Sequence, residues 1–451
     1  MATATLDAST GRRTWLDQLL SVVAEVRAGE AVTALLLTFT AFLLLGSYYF
    51  GIKPVREALI LSVKGGAELK SYTGAVQAGL FLFLVPAYSA FASKVNRRRL
   101  INGVFLFFIS HLVIFFALGE AGVPLGVPFF LWAGIFNVMC IAQFWSFAND
   151  LYTPEEGKRL FAIIVFGTAT GSVCGSEAAS LMGKRIDVFT MMLVSAGILL
   201  LCVLLMNLVH SREKGRTQNA ARRREVEEPL GKEGGFHLVI HQRYLLFIGL
   251  LIFTLNLVNT NGEYMLGRMF GDLARRTVAA GAAAGLDAKQ LLVGYYAQFQ
   301  FWQNAVGTVI QFFLVSRIMK YIGVRAALFI MPALSLCGYS LFAAIPALAV
   351  IRLVKIEENS MDYTLNNTVR QALFLPTSRE AKYKAKQAVE TFFWRAGDMI
   401  SALLVFSLVR RLDVGRVSAI NAGLVFVWLL LVFGIAREHR KLTAALPPEA
   451  V

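Results

Sequence analysis

FTMMLVSAGILLLCVLLMNLV (189–209), SREKGRTQNAARRREVEEPLGKEGGFHLVIHQR (211–243) and YLLFIGLLIFTLNLVNTNGEY (244–264) are consecutive, and their contrast decides the fold. The outer two are apolar and about 20 residues long, the length a helix needs to cross a hydrocarbon core of roughly 30 Å. Backbone groups inside lipid must satisfy one another, so such blocks are helices. The middle stretch carries basic and acidic residues with Pro and Gly, and reads as a cytoplasmic linker ending in a short amphipathic piece.

Working outward, about twelve blocks recur. They lie near 31–50, 72–92, 100–119, 125–150, 159–181 and 189–209, and again near 244–264, 291–315, 323–343, 346–372, 387–409 and 417–436. Composition agrees: 57% of the 451 residues are hydrophobic and 16% charged, against about 45–50% and roughly 25% in soluble domains. The expected fold is an all-α integral membrane protein with about twelve transmembrane helices in two six-helix halves. The expected divisions are a cytoplasmic N-terminal segment (1–30), an N-terminal bundle (31–210), the linker (211–243), a C-terminal bundle (244–436) and a cytoplasmic tail (437–451). No secretory signal is expected in the leader, which has no continuous apolar core.

The net charge of +15 could suggest nucleic acid, but its distribution points elsewhere. With an even number of spans, the termini and the even-numbered connections share one side. That side holds the larger share of the Lys and Arg, including Lys94, Arg97, Arg98 and Arg99 after the second span and Arg317, Lys320 and Arg325 after the eighth. The positive-inside rule places both termini in the cytoplasm of a bacterial inner membrane. No nucleic-acid partner is expected; the partners are the lipid bilayer and a small anionic substrate, with a monomer as the simplest assembly. Cys140, Cys174, Cys202 and Cys337 sit inside spans without metal-ligand spacing and read as small buried apolar residues. No P-loop, HExxH, CxxC pair or nucleophile elbow occurs, so neither an enzyme nor a cofactor is expected. GTATG (167–171) lies inside a span and reads as close helix packing.

The halves resemble each other weakly. Aligning Glu57 with Glu263 sets Lys53 opposite Asn259 and Arg56 opposite Gly262. A parallel duplication of six spans is the major facilitator architecture, with its substrate site between the halves near the midplane.

Charges within spans are expensive, roughly 2.5–3.5 kcal/mol each at the centre, and persist where they face protein or a watery cavity. At about 100° per residue, Arg352, Lys355, Asn359, Asp362, Tyr363, Asn366 and Arg370 share one arc of the tenth span. Glu358 falls at its edge and Glu357 well off it. Glu390, Thr391, Trp394, Asp398 and Ser401 share a face of the eleventh, with Arg395 beside it. Tyr296, Gln300, Gln303, Asn304, Gly307 and Gln311 line an arc of the eighth, readable as cavity lining or as interhelical glue. The seventh contributes Asn256, Asn259, Thr260 and Glu263, and the first Tyr49, Lys53 and Arg56. The fourth contributes Gln143, Ser146 and Asp150 with Trp145 and Asn149 alongside. Glu177 is readable as a packing partner or a proton site, and His111 as packing. Basic groups on these arcs could bind an anion while the acids exchange partners between states; Arg and Lys are the expected ligands of phosphate.

KPVREALIL (53–61), FWSFANDLYTPEEGKRLF (144–161), TLNLVNTNGEYML (254–266) and PTSREAKYKAK (376–386) resemble strings at the same topological points of the ATP/ADP translocase family, the nucleotide antiporters of plastids and obligate intracellular bacteria. The resemblance implies a secondary transporter exchanging nucleotides or related phosphorylated anions by alternating access. By it, Arg56 falls where the family has a transport-critical Lys and Asn149 on the family's Asn. Asn259 departs from an acidic residue, with Glu263 one turn later. The resulting binding candidates are Lys53, Arg56, Asn149, Asn259, Glu263, Arg352, Lys355, Asp362, Asn366, Glu390, Arg395 and Asp398. Two other readings stay open on the residues alone: a proton-coupled porter for a sugar, peptide or drug, with Glu57, Glu177, Glu263, Glu390 and Asp398 as proton carriers, and a non-transporting membrane sensor or scaffold.

Overall fold

The computed structural model describes residues 30–92, 97–152, 154–213, 235–374, 376–377, 385–386 and 389–444. Residues 1–29, most of the linker, residues 378–384 and the end of the tail lie outside them. Among the described residues the helices form twelve rods. They are α1 (Ala31–Leu61), α2 (Gly66–Ala92), α3 (Arg97–Glu120), α4 (Gly126–Leu151), α5 (Pro154–Met182), α6 (Val188–Glu213) and α7 (Arg243–Ala279). They continue with α8 (288–321), α9 (Gly323–Ala344), α10 (348–373), α11 (389–407) and α12 (Val414–Ala444). A short helix, Gly235–His241, ends the linker.

Seven rods are long and apolar enough to cross a membrane: α1, α3, α4, α6, α7, α9 and α12. The other five carry the polar faces described below, which lower their mean hydropathy. Large apolar side chains such as Phe83, Phe107, Leu204, Leu403 and Phe433 are exposed around the outside, as expected of a surface solvated by acyl chains. Cys140 and Cys202 are buried, whereas Cys174 and Cys337 are on the exposed face; lipid tolerates a small thiol there as well as the core does.

Several rods outrun the apolar blocks. α2 begins at Gly66 rather than near 72, α7 runs on to Ala279, and α12 extends through Arg437 to Ala444. Helical hydrogen bonding continues past the apolar stretch wherever protein or an aqueous face accepts the polar side chains. Local caps set some ends. Asp287 and Gln290 form a reciprocal capping box at the start of α8. Asp413 accepts the Arg416 backbone N–H at 3.0 Å before α12, which holds its carboxyl below the usual range.

Four rods contain a π-helical turn: Tyr48–Ile52 in α1, Ile310–Leu314 in α8, Asp362–Asn366 in α10 and Val389–Phe393 in α11. In α1 the turn ends two residues before Pro54, whose ring nitrogen cannot donate to the preceding turn. Each such turn adds a residue and rotates the side chains beyond it.

In the first half α1 packs closely on α5. A Cβ at Gly167, Gly171 or Gly175 would lie 2.3 Å from the carbonyl oxygen of Thr38, Phe42 or Gly46, respectively. The three glycines recur every four residues, one face of a helix, so the GTATG reading as close packing extends to a three-glycine stripe. Polar glue joins the rest. Asn102 and Asn207 exchange amide bonds at 3.2 and 3.0 Å between α3 and α6. Asn421 of α12 donates to the Val258 carbonyl at 3.0 Å, and Ser401 of α11 to Asn261 at 2.7 Å.

Rods α1, α2 and α5 meet α7, α8 and α11. Asn304 of α8 donates to the Ser172 carbonyl at 3.3 Å and to Ser176 Oγ at 3.1 Å on α5, so this face of α8 does act as glue. At the end where α1 turns into α2, Arg275 of α7 donates to the Leu61 and Val63 carbonyls at 3.1 and 2.9 Å. Tyr264 donates to Glu68 at 2.9 Å. These contacts satisfy the last carbonyls of α1 and close the molecule at that end.

Candidate functional site

A cavity of about 220 Å³ lies where α1, α2, α7, α8, α10 and α11 converge. Its charged lining is Lys53, Arg56, Glu57, Lys70, Glu263 and Asp398. Lys53 and Glu57 of α1 and the residues aligned with them in the sequence, Asn259 and Glu263 of α7, all line it. The counterpart of Arg56 is Gly262, where a Cβ would meet Tyr339 Oη at 2.2 Å and Lys355 Cδ at 2.9 Å. Glycine thus makes room for a lysine arriving from α10, and α7 needs no cation of its own.

The charges are chained. Arg56 pairs with its neighbour Glu57 and stacks its guanidinium 4.8 Å from the Phe130 ring centroid. Lys70 reaches Glu57 at 2.7 Å and Glu263 at 3.5 Å, tying α1 to α7. Glu263 is 3.7 Å from Lys355 and accepts from Asn359 at 3.1 Å. Lys355 donates to Asn259 Oδ1 at 2.5 Å and pairs with Glu358 at 2.7 Å; Tyr339 also donates to Glu358 at 2.7 Å. Cations and carboxylates alternate along this chain, so it is self-neutralising. At the α11 wall, Asp398 accepts from Asn256 at 2.8 Å and Thr260 at 3.0 Å and pairs with Arg395 at 3.3 Å. Lys53 stands outside both networks: it forms no ion pair among the described residues, and its Nζ lies 4.8 Å from the Tyr49 ring centroid.

The candidate residues divide accordingly. Lys53, Arg56, Asn259, Glu263 and Asp398 line the cavity. Lys355 is 0% exposed and acts on the lining through Asn259 and Glu263. Arg395 acts through Asp398 and lies 4.7 Å from the Phe81 ring centroid on α2. Asn149 lies in α4, with its side chain outside the described ones, as are those of Ser146 and Asp150. Three expectations of a shared arc need correction. Asp362 and Asn366 are buried one step away, joined to each other at 2.8 Å, with Arg370 3.6 Å from Asp362. Arg352, a turn before Lys355, does not reach the lining. Glu390 is exposed beside Gln371 at 3.3 Å. Arg352 is seven residues, about 10 Å of helix, before Asn359, where α10 meets the lining. Asp362 and Asn366 belong to the π turn of α10, and Glu390 to that of α11, eight residues, about 12 Å of helix, from Asp398.

Three roles are not legible in the sequence. Lys70 falls between the expected first and second spans, yet Lys70, Ser71, Gly74 and Gln77 share one helical face and all line the cavity. Continuing the helical phase back from 72 exposes it. Glu57 reads as a counter-charge, but its pairing with Lys70 does not show in the sequence. Glu358, at the arc's edge, is fully buried as the counter-ion of Lys355.

A second cavity, about 440 Å³, shares Gln303 and Tyr363 with the first. It continues away from the Arg275 closure between Tyr49, Trp145, Thr168, Ser172 and Gln311. The site is therefore a charged chamber closed at one end and continued at the other.

This architecture has counterparts among solved structures. The nucleoside transporter NupG superposes with a TM-score of 0.60 at 14% identity, covering 88% of this chain and 98% of that one. A bacterial homologue of the human lysosomal transporter Spinster, inward-facing and unoccupied, gives 0.59 at 14%, covering 92% and 98%. The POT family transporter PepTSo gives 0.57 at 10%, covering 91% and 98%. The fold is major-facilitator-like. Residues 129–265 match the family model for the TLC ATP/ADP transporter. This chain is similar to the TLC ATP/ADP transporters. The matched stretch contains Phe130, the α4 string, and Asn259, Thr260 and Glu263 of the lining. ADP,ATP carrier protein 1 of Chlamydia muridarum (strain MoPn / Nigg) is 20% identical over 342 residues, covering 65% of this chain and 61% of that protein. ADP,ATP carrier protein 2 of Chlamydia pneumoniae is 24% identical over 358 residues, covering 68% and 64%. The chain spans about three fifths of the length of the curated relatives it matches.

Proposed function

We propose that the protein is a secondary transporter, not an enzyme, that exchanges nucleotides or related phosphorylated anions by alternating access between two six-helix halves, each crossing the membrane six times. The observation that carries this reading is Lys53. A cation facing a buried cavity without a carboxylate partner is costly, and an anionic substrate supplies the missing charge. Arg56 and Lys70 stand beside it, so a phosphate chain could draw them from Glu57 and Glu263. The likeness to ATP/ADP transporters supports the nucleotide as cargo. The positive-inside orientation, with both termini cytoplasmic in the inner membrane, makes the described state inward-facing. The Arg275 contacts are then its outer closure, and the Lys70–Glu263 pair is broken when that side opens.

Proteoliposomes loaded with unlabelled ATP or ADP should take up labelled nucleotide; no counter-exchange of any phosphorylated compound would exclude this function. In the same vesicles Lys53→Gln should raise the half-saturating concentration about 10- to 100-fold, since a hydrogen bond to a charged group is worth about 1.5–3 kcal/mol. Thermal stability in detergent should not fall, because no carboxylate loses a partner. An unchanged half-saturating concentration would remove Lys53 from the site.

A further inference from the structure

We infer that the amide of Gln300 on α8 reads the base of the transported nucleotide, through paired donor and acceptor bonds to an adenine-type edge. The inference rests on the proposed function and adds to it the element that distinguishes one cargo from another.

Gln300 lines the charged cavity and is only 1% exposed. Among the described residues, neither its Nε2 nor its Oε1 has a hydrogen-bond partner. Burying an amide without partners is expensive, so such a group is an unusual feature of a native interior. Its surroundings extend the same pattern. Tyr296, one turn earlier, is 1% exposed and Gln303 is 2% exposed; among the described residues the Tyr296 hydroxyl and the Gln303 Nε2 are unpartnered. Gln303 Oε1 is taken by Asn359 at 3.2 Å and its backbone carbonyl by Ser360 at 2.8 Å, so its position is fixed. Gln300 is the member of the set with both halves of its amide open.

The chemistry of the open groups selects the ligand moiety. Phosphate oxygens only accept, and would leave the Gln300 carbonyl unsatisfied. A group with a donor and an acceptor side by side satisfies both, and glutamine pairs in this bidentate way with the adenine amino group and adjacent ring nitrogen. Phe130, Tyr296 and Phe299 supply aromatic surface in the same lining, suited to the face of a base. The cations Lys53, Arg56 and Lys70 supply the phosphate end. One chamber thus offers a cationic region for phosphate and an aromatic amide region for the base.

The test compares uptake of ATP with that of purine riboside 5′-triphosphate, which keeps the ring and phosphates but lacks the amino group. Both are measured in the same vesicles, so their ratio does not depend on how much protein is inserted. The wild type should favour ATP by about tenfold or more, because a site built to hydrogen-bond rejects an analogue lacking the group. In Gln300→Met, of similar volume but without the amide, the ratio should fall to within about threefold. Gln300→Asn retains the amide and withdraws it by one methylene; its ratio should fall as well, and it serves if the Met variant fails to insert. A wild-type ratio near one, or an undiminished ratio in whichever variants insert, overturns the assignment of Gln300 while leaving nucleotide exchange standing. Exchange of another phosphorylated compound without uptake of ATP also overturns the assignment of Gln300; absence of counter-exchange of every phosphorylated compound overturns the transport reading instead.

Discussion

Lys355→Met should destabilise the protein by about 3–5 kcal/mol, the usual cost of stripping one partner from a buried ion pair. Lys355 is 0% exposed and its ammonium is shared by Glu358, Asn259 and Glu263. Methionine fills the space of the stem but leaves Glu358, itself fully buried, with Tyr339 as its remaining partner. Glu263 is less affected, because Lys70 and Asn359 still hold it. The double variant Lys355→Met/Glu358→Gln should recover most of the loss, as neutral pairs in place of buried ionic ones are often tolerated. A cycle of the two single variants and the double should give a coupling of at least about 2 kcal/mol. Thermal unfolding in detergent, followed by the fraction remaining monodisperse, measures it. If Lys355→Met melts with the wild type, Lys355 is not the buried counter-ion described here. Transport lost in this variant would reflect a damaged fold, so Lys53 and not Lys355 is the cleaner probe of substrate binding.

Gly171→Leu should lower the yield of folded protein well below that of the matched change at Gly197. The glycine hydrogen faces backbone: even a Cβ would lie 2.3 Å from the Phe42 carbonyl oxygen and 2.7 Å from its Cα. Backbone cannot step aside as a side chain can, so α1 and α5 must separate along their shared length. Overpacking typically costs about 1–3 kcal/mol, and here it also breaks the contacts of the Gly167 and Gly175 steps on either side. The displaced α1 carries Lys53, Arg56 and Glu57, so the cavity goes with the fold. Gly197→Leu is the control, since a Cβ there meets nothing within 4 Å. Equal yields of the two variants on size-exclusion chromatography would contradict the packing argument.

The comparison of Lys53 with Lys355 also marks how far the site could be read from sequence. Both are lysines in spans, and hydropathy treats them alike. Helical phase turns Lys53, Glu263 and Asp398 toward the cavity they line, because Lys53 is phased with Arg56, Glu263 with Asn259 and Asp398 with Trp394, each pair within one regular α-helical turn. It misjudged Arg352, Asp362 and Glu390, where a π turn or a span of several turns separates residues that a projection superimposes. It missed Lys70 because an apolar-block criterion cuts a helix at its first charges, although a charge facing a cavity does not end a helix.

By itself the sequence determined the membrane class, the helical content and the likeness to ATP/ADP transporters, because these depend on blocks, composition and short strings local along the chain. It also marked the α7 string and the α1 string as counterparts. Only the tertiary structure decided that Lys70 joins Glu57 to Glu263, that Lys355 fills the place left by Gly262, and that one chamber holds Lys53 without an ion pair and Gln300 without a hydrogen-bond partner among the described residues. Partnership between charges depends on distances of a few ångströms between segments far apart in sequence, and no local pattern encodes them.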